Sequence, residues 1–163
     1  MGETILFSAM NWLHLIATVV WIGGVTTIFL IIHPVASKIL EPSATGKLMM
    51  GITKRMRGLV YLCMVLFIGT GIVMQMMDVN FVGFSLGDSW TFVLVIKHIL
   101  TVVFIVIAIY IFQVLSPKMT QLAPKGPSPE MANLQKKQFI FGFTNLIIAH
   151  IILLLTAIAT AIQ

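Results

Sequence analysis

The chain has 163 residues, of which 59% are hydrophobic and 9% charged, with a mean hydropathy of +1.06 and a formal net charge of +5. This is too apolar for a soluble domain and implies one integral membrane domain over residues 1–163. The charge is no nucleic-acid footprint, because the basic residues flank apolar runs, and the single Cys63 in an apolar run excludes a disulfide framework or a cysteine metal motif.

The amino terminus has Glu3 and no basic region ahead of its first apolar run, so that run reads as a spanning helix rather than a cleaved leader. Four spans follow in order: Ile5–Ile32, Leu59–Met77, Trp90–Leu115 and Phe139–Ile162. Each approaches the ~20 apolar residues of a bilayer crossing, where backbone groups must pair within the segment as a helix. Pro34 is expected to end the first span. Ser128-Pro129-Glu130 carries an N-cap, a first-turn proline and a first-turn acid, so the last helix should begin before its apolar run. The Pro/Gly-rich stretch Ala123–Pro129 reads as a surface linker.

Lys38, Lys47, Lys54, Arg55 and Arg57 against Glu41 follow span one, and Lys118, Lys125, Lys136 and Lys137 against Glu130 follow span three. The segment after span two offers only Asp78 and Asp88. The positive-inside rule places both basic segments in the cytoplasm and both termini outside, in what reads as a prokaryotic cytoplasmic membrane. The expected fold is an all-α, up-down-up-down four-helix bundle.

Three spans hold a histidine, His14, His98 and His150, and Lys97 is the one lysine within a span. Ionisable groups at membrane depth usually have a partner or a function. At ~1.5 Å per residue, His14 and His98 fall at similar depth and His150 near the midplane. His33 sits at the end of span one and reads as a solvated helix-end residue. The His14 face continues through Ala17, Thr18, Trp21, Gly24 and Val25, and the His150 face through Leu146, Leu154, Ala157 and Ala161. In span two, Arg57, Tyr61, Met64, Ile68, Gly71 and Gln75 form one stripe, with Gly71 opening space.

Histidines on separate helices of a bundle are a common way to hold haem b. The expected axial pair is His14 and His98, with His150 as alternative and Lys97 near the propionates. The competing readings are interhelical hydrogen bonding for the histidines, close packing for the small residues and snorkelling for Lys97. Trp21 and Trp90 read as packing or interface anchors, and Asn145 and Gln75 as helix glue or pocket donors. Met74, Met76 and Met77 give the rival cofactor, copper, since thioethers and imidazoles suit Cu(I), although methionine also fills apolar helices.

The segment Leu13-His14-Leu15-Ile16-Ala17-Thr18-Val19-Val20-Trp21-Ile22-Gly23-Gly24 resembles the first-helix signature of the copper-resistance D (CopD) superfamily and of HemJ-type membrane protoporphyrinogen oxidases. Arg55-Met56-Arg57 through Thr70-Gly71 resembles the next helix of CopD relatives, and Trp90 with Lys97 a helix in both families. The resemblance implies a small polytopic membrane protein binding haem b, with His14 a haem-site residue and Lys97 a functional lysine. Ile31-Ile32-His33-Pro34 and Ala108-Ile109-Tyr110 depart from the HemJ pattern, which puts porphyrinogen oxidation in doubt.

The expected function is a membrane b-type haem protein in electron transfer, an oxidoreductase if it is an enzyme. Its cofactor-binding residues are His14, His98, His150, Lys97, Trp21, Gly24 and Gly71. The expected partners are the lipid bilayer, a quinol, a porphyrinogen or a redox protein, with a homo-oligomer as a further possibility and no nucleic acid. The alternatives are a copper-binding or copper-uptake protein and a non-catalytic subunit of a membrane complex.

Overall fold

A computed structural model of the chain describes residues 1–77 and 89–162, which leaves Asp78 and Asp88 outside the described residues. Four long helices make up nearly all of it: α1 (Gly2–Ile39), α2 (Pro42–Met77), α3 (Ser89–Lys125) and α4 (Pro129–Ala161). They form an all-α, up-down-up-down bundle, with no strand among the described residues. All four are long and apolar enough to cross a bilayer, so the chain is an integral membrane protein. At 33 to 38 residues each, the helices reach roughly 50–57 Å at ~1.5 Å per residue. That exceeds a hydrocarbon core of ~30 Å. The spans are the apolar portions of longer helices, and the segments carrying Lys47, Lys54, Lys118 and Lys136 are helical rather than loops.

Pro34 does not end α1, which continues to Ile39. Proline lacks an N–H, and its ring crowds the carbonyl four residues earlier. Here that carbonyl belongs to Leu30, inside a wide π turn at Ile28–Ile32. Pro117 repeats the device, with Gln113 inside a π turn at Ile111–Leu115. A wide turn displaces the crowded carbonyl, so both helices run on. What ends α1 is Leu40, which is extended at φ −112°, ψ 149°. The start of α4 is as the sequence implies: Ser128 is extended and its hydroxyl oxygen accepts the Met131 N–H at 3.1 Å. Gly126, at φ 81°, supplies the left-handed turn of the linker.

Interior positions recur at spacings of three and four, the pattern of near-antiparallel packed helices. In α3 the sequence is Trp90, Leu94, Lys97, Thr101, Phe104, Ala108, Ile111 and Leu115, all buried or half-buried. In α4 it includes Gly142, Asn145, Ala149 and Ala159, and in α2 Val60, Cys63, Met64 and Thr70. Helix α1 packs most extensively on α2, and α3 on α4. The outward faces are apolar, with Leu15, Val19, Leu30, Val65, Val102 and Leu154 all exposed. A bundle in water would cover such faces, whereas one in lipid has no need to.

Candidate functional site

The half of the bundle holding the helix termini at Gly2, Met77, Ser89 and Ala161 contains one inward imidazole, that of His14. Its Nδ1 lies 2.8 Å from Thr70 Oγ1. Thr70, only 3% exposed, donates its hydroxyl to the Leu66 carbonyl at 2.6 Å. With that proton committed, Thr70 can only accept from His14, so the imidazole proton sits on Nδ1 and Nε2 keeps its lone pair. The Phe67 ring meets His14 edge-on at 4.9 Å. Phe67 also touches Trp21 at 5.7 Å, and Trp21 lies 4.3 Å from Phe104. Thus one side of α1 (His14, Ala17, Trp21) is the interior stripe that the spacing implies, and Ala17 and Trp21 are each 1% exposed.

Lys97 occupies an interior position of α3 and is half-buried. Its neighbour His98 is exposed, with Nδ1–H donated to the Leu94 carbonyl of its own helix at 2.6 Å. His150 behaves likewise, exposed and donating to Leu146 O at 2.9 Å. Of the His150 face only Leu146 is buried: Leu154, Ala157 and Ala161 are exposed, and the buried stripe runs one residue away from His150 through Ala149. Adjacent helical residues lie about 100° apart, so the heptad that turns Lys97 and Ala149 inward turns His98 and His150 out. The bundle therefore does not bring His98 or His150 to His14. Among the described residues, no three His, Cys, Asp or Glu side chains group as a metal site.

The remaining candidates divide between packing and open space. A Cβ on Gly24 would meet the Met56 methyl carbon at 2.8 Å, so the flexible Met56 side chain of α2 fills the space over this glycine. Gly71 has nothing within 4 Å of its would-be Cβ. Trp90 packs with Leu94 and Ala159. In the α2 stripe, Met64 is buried and Tyr61 half-buried, where its hydroxyl accepts from Gln113 Nε2 at 2.7 Å, but Arg57 and Ile68 face outward. The methionine cluster also splits, since Met76 is 79% exposed while Met74 and Met77 are half-buried.

Sequence reasoning missed two features. One is Thr70, whose polar side chain in an apolar helix was the available signal for the His14 pairing. The other is a cavity of about 380 Å³ in the opposite, basic half, reaching from the helix midpoints towards Leu40 and Pro42. His33 lines this cavity and packs on Phe139 at 4.7 Å, within α1 rather than at the helix end expected. Of the two amides singled out, Gln75 Nε2 and Asn145 Oδ1 are both buried without a partner.

A scan against protein-family models finds no match, and searches of curated proteins and of solved structures likewise return no similar chain.

Proposed function

We propose that this integral membrane protein is a redox protein that takes a b-type haem on His14, with Lys97 as the cation for the haem carboxylates. The observation that carries the reading is the Thr70 Oγ1 contact that orients the inward His14, with Lys97 at an interior position of α3; these are the two residues singled out by the CopD-like and HemJ-like resemblance. The donor set fits one axial ligand from the chain rather than two. His14 has its Nδ1–H anchored on Thr70 and an Nε2 that keeps its lone pair, the arrangement in which an outer hydrogen bond fixes a ligating imidazole. His98 and His150, exposed on the bundle's outside, do not complete an axial pair with it.

Haem bound here would supply one-electron chemistry. The chain's own contribution is to orient His14 through Thr70 and Leu66, to exclude water with Phe67 and Trp21, and to hold a positive charge at Lys97. On the positive-inside rule the basic half faces the cytoplasm and His14 lies in the outer half. A quinol, a porphyrinogen or a redox protein would exchange electrons with the site.

A reduced-minus-oxidised visible spectrum of the detergent-purified protein tests this. A b-type spectrum is expected, lost by at least about ten-fold in His14→Ala and retained in His98→Ala and His150→Ala. Full retention in His14→Ala, or a colourless preparation with stoichiometric copper, overturns it.

A further inference from the structure

The basic-half cavity has an unusual inner end. Trp21, Val60, Ala108 and Asn145, each at the middle of its helix, meet there and all line it. Asn145 is 4% exposed and its Oδ1 has no hydrogen-bond partner. A carboxamide oxygen at membrane depth without a donor costs free energy comparable to a lost hydrogen bond. Such an atom, on a residue that lines a cavity, is a position held for a donor from outside the chain.

The walls restrict what that donor can belong to. Phe29, Phe112 and Phe139 join Trp21 in giving aromatic faces, and Val25, Ile28 and Met56 complete an apolar lining. His33 is the only titratable side chain among the lining residues, so neither an anion nor a cation would find a fixed counter-charge. A charged occupant would lose hydration without compensation. Neutral amides and hydroxyls lie nearer the basic end, where Gln138 Nε2 donates to Thr53 Oγ1 at 2.9 Å. A volume of about 380 Å³ matches pockets for a drug-sized molecule, which run ~300–1,000 Å³.

We propose that this cavity binds a neutral, flat-ringed lipid carrying a hydroxyl donor, of the quinol class, with one ring O–H donated to Asn145 Oδ1. Flat rings suit the aromatic walls, and a phenolic O–H supplies the missing proton without bringing charge. The site is separate from the His14 cluster, and its occupancy does not depend on haem.

The test uses the full chain in lipid nanodiscs with Trp12→Phe and Trp90→Phe, leaving Trp21 as the sole reporter of the three tryptophans. Decyl-benzoquinol is titrated against its dimethyl ether, which has the same ring without the O–H groups. Saturable quenching of Trp21 is expected, about ten-fold tighter for the quinol than for the ether, as the loss of one buried hydrogen bond implies. Asn145→Leu should bring the two probes to the same affinity. Equal affinities in the chain with Asn145 intact, or quenching that rises without saturation as lipid partitioning would give, overturns the proposal. That comparison needs no substitution at residue 145, so it decides even if the Asn145→Leu protein does not fold.

Discussion

The two halves of this bundle share helices and apolar exteriors, and each buries an unpartnered amide, Gln75 in the terminal half and Asn145 in the basic half, but only the terminal half also holds a closed polar chain. In the terminal half, His14, Thr70 and the Leu66 carbonyl form a chain in which each donor finds an acceptor, leaving only Nε2 of the imidazole open. In the basic half, the Asn145 oxygen is unpartnered at the inner end of a cavity. A closed chain fixes one side chain's orientation and tautomer, while an open acceptor waits for a ligand. The contrast teaches that polar residues inside one membrane bundle serve different ends according to whether the packing closes or opens around them.

Trp21 joins the halves, touching Phe67 and Phe104 while lining the cavity. Trp21→Ala should therefore have the largest effect, a loss of roughly 3–5 kcal/mol in reversible unfolding, together with loss of both the haem spectrum and quinol binding, the latter read by equilibrium binding of radiolabelled quinol because Trp21 is itself the fluorescent reporter. If only one of these signals disappears, the halves are independent and Trp21 does not link them.

Thr70→Val keeps the shape but leaves the His14 Nδ1–H without its acceptor. A cost of about 1–3 kcal/mol is expected by the same unfolding measurement, with quinol affinity unchanged. Altered quinol affinity in this variant would place the two sites in one unit.

Asn145→Leu should act in the opposite direction, raising stability by about 1 kcal/mol because an unpartnered buried oxygen gives way to apolar packing. A fall in the unfolding midpoint would mean that the asparagine is structural. The smallest effect belongs to His98→Ala and His150→Ala, each within about 0.5 kcal/mol, as for other outward-facing substitutions. A larger loss would place these histidines at a contact between copies of the chain.

Much of the fold was legible in order. The four spans follow from apolar length, and the start of α4 follows from Ser128-Pro129-Glu130. The inward stripe of α1 follows from the spacing of His14, Ala17 and Trp21. Pro34 misled because a proline rule that holds for a regular helix is relaxed where the preceding turn widens. His98 and His150 misled for another reason: depth was read from position along the helix, while facing was not. The heptad through Trp90, Leu94, Lys97, Thr101 and Phe104 held that information, and it selects the lysine over its histidine neighbour.

Sequence alone determined that this protein lives in lipid as four helices, because hydrocarbon allows no unpaired backbone over runs of this length. It also named His14 and Lys97. Only the tertiary structure decided that Thr70 sets the His14 tautomer, that two of three membrane histidines look outward, and that a half-open cavity reaches in to the four helix midpoints beside an unpartnered amide. Those features arise between residues dozens of positions apart, where small differences in helix rotation and approach decide which side chains meet.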